Sequence, residues 1–317
     1  MRIIRRFAPA ITAVTTVLLL AGCASGPSKV SSAAIVGQQS VPLAEVQQEI
    51  QWLLANVPQA RELADQRKFD NFSRKVVGER VIHELLVIAA DREGLKVDQA
   101  EVTRLIESSG GAEEAAKLVG VEPNRLRDLA ADQLLLQQLG EKYVGSLSVD
   151  LVGAVVTDES PGSTAKDKAL ALGRQIADDP ARAKEIAAGE GRQAIEQRLA
   201  MSEVLGSESA GLATSALFGV EPGTVVVIQP SREQGSAWLV ALVRDRTVDD
   251  QPDESPAGQA DPQTLYNIGL RMLAPIADEI GVQVSPRYGV WDQAGMIVAA
   301  NEDDLSGHVI PPRTVRP

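Results

Sequence analysis

The single cysteine of this chain, Cys23, constrains its fold more than any other residue. One thiol cannot close a disulfide within the chain, so whatever folds is held by packing alone. Beside it stand two histidines, His83 and His308. That set excludes a Cys/His zinc site and leaves almost nothing for Ser-His or Cys-His catalysis. The thiol's position matters as much as its solitude. Arg2, Arg5 and Arg6 precede an apolar run from Ala8 to Leu20, too short to span a bilayer unaided, and Cys23 follows directly.

Leu20-Ala21-Gly22-Cys23 resembles a bacterial lipobox. Residues 1–22 therefore read as a lipoprotein signal peptide, and Cys23 as the lipid attachment site, carrying diacylglycerol and a further acyl chain such as palmitate. Two or more chains suffice for stable anchoring. Residues 23–32 read as a lipidated tether; the nine from Ala24 to Ser32 are small and polar and reach about 15–18 Å. The expected location is the extracytoplasmic face of the cell membrane.

The formal charge is −12, and loss of the three leader arginines makes it −15. Such a surface repels phosphate backbones, so nucleic acid is not an expected partner. A hydrophobic fraction of 44% suffices for a core, and about two domains fit the length.

Residues 33–148 read as mostly helical after a short strand at Ala33 to Gly37. Leu43, Val46, Ile50, Leu53 and Leu54 recur at helical spacing behind Pro42. Phe72, Val76, Val77, Val81, Leu85, Ile88 and Ala89 make a longer stripe, with Gly94 as a left-handed cap. Asp98 to Glu101 reads as a capping box, Ala112 to Val119 as a short helix, and Pro123 opens a leucine-rich one. Residues 149–248 read as α+β: a strand at 149–156, one helix over 164–188, an ambiguous stretch over 195–205 that favours helix, and strands at 224–228 and 237–243. The segment 249–262 has five acids and three prolines and reads as an exposed linker. Residues 263–300 predict a helix, interrupted at Pro275, and a β-hairpin of 282–284 with 296–298, packing on the helical domain. Residues 301–317 read as a disordered tail.

Ala34-Ile35-Val36-Gly37 with Pro42-Leu43-Ala44-Glu45-Val46 resembles the opening of the SurA/PrsA-type extracytoplasmic chaperones. Ile82 to Leu86 and Ala89 to Asp98 are similar to that family's helix ending in a glycine turn, and Val121 to Val144 to the long helix leaving the domain. Pro286-Arg287-Tyr288-Gly289 resembles a string of actinobacterial lipoproteins of this SurA-like kind. The fold class implied is mainly α with a smaller α+β part: a SurA-N-like helical domain, then a degenerate parvulin-like domain over 149–248. Phe218 to Val225 and Trp238 to Val243 resemble the closing turn and last strand of a parvulin-type prolyl isomerase. Parvulins place one histidine on the first strand and one on the last. Here Asp150-Leu151-Val152 and Ala237-Trp238-Leu239 hold those places, so the chain is expected not to be an enzyme.

Other clusters read as structural. His83 sits on a strongly apolar helix and His308 reads as a solvated tail residue. Asp249-Asp250 and Asp303-Asp304 lack the spacing of a calcium loop. Ser207, Ser209 and Ser215 make no nucleophile elbow, and Gly211 and Gly219 no phosphate loop. Tyr288 and Trp291, rare aromatics here, read as rings packed back on the helical domain, the alternative being a peptide platform. No catalytic, metal or cofactor site is expected. The function implied is a lipid-anchored chaperone that binds unfolded or extended exported polypeptides; the alternatives are a divergent peptidyl-prolyl isomerase and an envelope scaffold holding one folded partner.

Overall fold

Gly37, at φ +58°, turns the chain from β1 (Ser32–Val36) into β2 (Gln39–Pro42), and its N–H donates to Gly281 O at 2.8 Å. β1 is buried throughout, and the Ser32 hydroxyl lies 2.6 Å from Ser40 Oγ, so residue 32, the expected end of the tether, already belongs to a strand. A computed structural model describes residues 29–157, 162–230, 237–249 and 260–312. The leader and Cys23 lie outside the described residues.

The helical part follows as α1 (Leu43–Asn56), α2 (Pro58–Asp65), α3 (Asp70–Glu93), α4 (Gln99–Ser108), α5 (Ala112–Val119) and α6 (Leu126–Val144). The stripe of α3 buries Val76, Val77, Val81, Leu85 and Ala89, each worth very roughly 1–3 kcal/mol out of water. Gly94 ends α3 in the left-handed region, as its sequence position predicts. At α4 only half of the expected capping box forms: Asp98 accepts from Ala100 N–H at 2.8 Å, and Glu101 returns nothing to it.

Next come β3 (Leu147–Val156), α7 (Ala165–Asp178), α8 (Ala183–Ala187), β4 (Ile195–Ala200), α9 (Met201–Leu205), β5 (Val225–Ile228) and β6 (Trp238–Val248). The helix expected over 164–188 is broken at Pro180, which lacks an N–H and holds Asp179 out of the helical region. Its start is firm, because Thr164 and Asp167 close a reciprocal capping box. The helix expected over 195–205 is also corrected. Residues 195–200 pair antiparallel with β3, from Gly153 opposite Ile195 to Ser148 opposite Ala200, and only 201–205 are helical. A waiting strand edge outweighs local preference there.

The last stretch holds α10 (Pro262–Met272), α11 (Ala274–Ile280), β7 (Val282–Val284), β8 (Val290–Asp292), β9 (Ile297–Ala299) and β10 (Gly307–Ile310). The expected linker ends early, since Asp261 caps α10 by accepting from Gln263 and Thr264 N–H, and Pro262 is its first residue. Residues 250–259 lie outside the described residues. The helix breaks at Leu273, just before Pro275, as predicted. The expected hairpin does not form. β7 instead completes a sheet of order β2-β1-β7, and β8 pairs with β9. Gly289, at φ +128°, lets the β8 backbone approach so closely that a Cβ would lie 2.0 Å from Ala299 O. The tail is corrected too: Gly307 to Ile310 pair with Ile228 to Val225, so β10 is an edge of the sheet β10-β5-β6-β3-β4.

The α7 face of that sheet packs Val152, Ala154, Val225, Val227, Val240 and Leu242 against Ala169, Leu172 and Ile176. Its other face, with Leu151, Val226, Leu239 and Ala241, joins one continuous core with α1, α3, α6 and α10. Closeness between α6 and α10 comes from two glycines. A Cβ on Gly140 would lie 2.0 Å from Leu265 O, and one on Gly269 would lie 1.9 Å from Leu136 O. Tyr288 is buried in this core, and Trp291 is half-buried with its indole N–H on Gln293 at 2.8 Å. Both rings are used in packing.

Candidate functional site

Between α3, α6, α10 and β9 lies a groove of about 920 Å³. Its apolar surface comes from Ile82 on α3, Leu129 and Leu136 on α6, Leu270 on α10, and Ile297 and Val298 on β9. Ile297 is 49% exposed, although a β-branched apolar residue at a strand position is usually covered. α3 and β9 meet at Gly78, where a Cβ would lie 3.8 Å from Val298, an ordinary contact distance. The walls thus join segments about two hundred residues apart.

Charged groups along the groove are mostly tied to one another. Burial pushes the Glu79 carboxyl up, opposed by Lys75 at 3.4 Å. Lys75 also donates to Val119 O at 3.0 Å. Asp132 is buried and meets His83 Nδ1 with both oxygens at 2.9 Å. That hydrogen bond raises the His83 pKa, against the effect of burial. His83 therefore links α3 to α6.

Behind this wall is a cluster that sequence reasoning missed. Glu49, fully buried, accepts from Arg80 Nε at 3.0 Å and from Arg125 at 3.0 Å, while Arg80 reaches Glu45 at 2.7 Å. This ties α1, α3 and the turn before α6 together. One local signal marks it: Glu49 lies three residues after Val46 and four before Leu53, on the face that α1 buries, whereas Glu45 precedes that stripe.

A second hollow, of about 460 Å³, lies on the sheet face away from α7, lined by Leu151, Val155, Leu199, Leu212, Pro230 and Leu239 among others. The two strand places where the parvulin resemblance puts imidazoles present Leu151 and Leu239 to it. Asp150 turns away to Arg244 at 2.6 Å, and Trp238 lies on the α7 side beneath Lys166. Glu208 is the ionisable side chain among the described lining residues.

His308 is not a solvated tail residue. It sits on β10 opposite Val227, with Nε2 buried and without a partner among the described residues. Burial lowers its pKa, helped by Lys166 and Arg174 and opposed by Asp292. Asn301 Oδ1 caps the turn by accepting from the Asp303 and Asp304 N–H groups, and no group of acids, histidines or cysteines suited to a metal occurs among the described residues. Nor is any described helix long and apolar enough to cross a membrane.

Comparison with known proteins bears on the groove, because α3 and most of α6 lie in the matched region. The model of the SurA-like N-terminal domain matches residues 1–140. Over those residues the helical part is similar to a SurA-like N-terminal domain. The match stops within α6, short of β3. Among solved structures, the crystal structure of foldase protein PrsA from Lactococcus lactis is similar at 13% identity, over 80% of this chain and 94% of that one. Its TM-score of 0.28 is too low for residue roles to be transferred. No curated protein matches.

Proposed function

We propose that this protein holds unfolded or extended exported polypeptides in the α3–α6–α10 groove without catalysis, from a lipid anchor on Cys23 at the extracytoplasmic face of the membrane. The groove carries this reading: an apolar floor with exposed Ile297, open to solvent, formed where the SurA-like helices α3 and α6 meet α10 and β9. Burial of a client's aliphatic side chains drives binding at about 25 cal/mol per Å², before ordering costs. A broad aliphatic surface is tolerant of sequence. The anchor rests on the lipobox-like Leu20 to Cys23, and absence of catalysis on the aliphatic lining at Leu151 and Leu239.

The test is aggregation of several unrelated unfolded proteins with and without the purified protein. Suppression across them, reduced by Ile297→Asp, supports holding. Capture of one folded partner alone supports the scaffold reading. Turnover of a short Xaa-Pro peptide well above its slow uncatalysed rate supports an isomerase. Cys23→Ser is expected to lose membrane association on fractionation; a variant that stays in the membrane with its leader removed refutes the anchor.

A further inference from the structure

Polar side chains in a binding groove are informative when the protein itself leaves them unpartnered. Along this groove most are engaged: Asn71 with Arg74, Lys75 with Glu79 and Val119 O, Asp132 with His83, Gln263 with Asn267. Asp261 caps α10. Three lining groups, Gln133, Gln137 and Tyr266, have no hydrogen-bond partner among the described residues.

Their spacing has a physical meaning. Gln133 and Gln137 are one turn apart on α6, which is about 6 Å along the axis. Two residues of an extended chain advance about 6.6 Å. A side-chain amide carries both a donor and an acceptor, the same pair that a peptide group presents. Two such amides on one helix face can therefore meet every second peptide group of a strand lying along α6. α10 runs antiparallel to α6 across the Gly140–Leu265 and Gly269–Leu136 contacts, which puts Tyr266 on the facing wall. Burial raises the Tyr266 pKa, so its hydroxyl stays a neutral donor in surroundings where water competes poorly.

From this we infer that the groove reads the client's main chain: Gln133, Gln137 and Tyr266 hydrogen-bond the peptide groups of an extended segment laid along α6, while its alternate side chains rest on Ile82, Leu136 and Val298. The inference rests on the groove being the client site, and it specifies the substrate class as extended chain, in preference to a preformed helix whose peptide groups are already paired. It also accounts for sequence tolerance, since every residue but proline offers the same N–H and C=O.

The test uses the full chain and two labelled ten-residue peptides of alternating leucine and serine with a terminal lysine. One has ordinary amides; in the other, alternate amide N–H groups are replaced by ester oxygens, which removes donors with little change of shape. Fluorescence anisotropy is expected to show the ester peptide bound about tenfold more weakly. Gln133→Ala with Gln137→Ala should weaken the amide peptide by about tenfold and leave the ester peptide nearly unchanged. Neither glutamine has a partner to lose, so the variant should keep its melting temperature. Ile297→Asp should weaken both peptides. Equal affinity for the two peptides, or full amide-peptide binding by the double variant, overturns main-chain reading and leaves a groove that works by apolar contact. Binding of neither peptide overturns both that inference and the proposed site.

Discussion

The helical groove and the sheet hollow are both lined with aliphatic carbon, yet the protein holds their walls in different ways. Around the groove, charged side chains join the elements: Glu49 bridges Arg80 and Arg125, and Asp132 meets His83. Around the hollow, backbone ladders do this work, with β3 paired along its length by β6 and over most of it by β4. Charges there, such as Arg244 on Asp150 and Glu196, sit at the surface. A helix satisfies its own backbone and needs side chains to fix its neighbours; a strand is fixed by its neighbours' backbone. Substitution of charged groups should therefore separate the two regions.

The widest separation is expected at Glu49. Glu49→Ala leaves Arg80 and Arg125 nearly buried without their shared carboxylate, a loss of about 3–5 kcal/mol in denaturant unfolding. Arg244→Ala, on a surface pair, should scarcely move the midpoint. Similar losses from the two would erase the contrast.

Close approach should break both regions alike. Gly269→Ala forces a Cβ to 1.9 Å from Leu136 O between helices, and Gly153→Ala forces one to 1.9 Å from Val240 O between strands. Each should cost about 3 kcal/mol, at the upper end for overpacking, because the obstacle is backbone. Thermal melts of the two variants side by side measure this. Ready tolerance of Gly269→Ala would mean that α6 and α10 can separate.

The finest distinction is in pH dependence. The His83 pKa is raised by Asp132, so its contribution is fully present below about pH 6.5 and fades as pH rises through the higher folded value. The His308 pKa is lowered by burial, so folding is penalised as pH falls below about 6.5 towards the lower folded value. His83→Gln should accordingly cost more stability at pH 6 than at pH 8. His308→Leu should gain stability relative to the native chain as pH falls over the same window. Unfolding curves at several pH values give both signs, and the same sign for both would refute the contrast.

Much of the helical part was legible in the residues. Stripes on α1, α3 and α6, the glycine after α3 and the break before Pro275 are local features, and periodicity within a single element reveals them. The groove was legible only by halves. An apolar face on α3 and the leucines of α6 implied a surface to cover, but nothing in them named Ile297 and Val298 as the opposite wall. Strands fared worst: β4 had helical composition, β10 lay in a stretch rich in polar and acidic residues, and β7 found β1 in preference to its sequence neighbour.

By itself the sequence determined the amphipathic helices α1, α3 and α6, the glycine that ends α3, and that one thiol closes no disulfide within the chain. These follow from torsional limits and apolar spacing within about twenty residues, which each segment carries wherever it lies. Tertiary structure decided which strands pair, which acid is buried between two arginines, and which two surfaces face each other across the groove. Those outcomes depend on backbone edges and on charges brought together from distant parts of the chain, and a strand's partner or a carboxylate's dielectric does not exist until the rest of the molecule surrounds it.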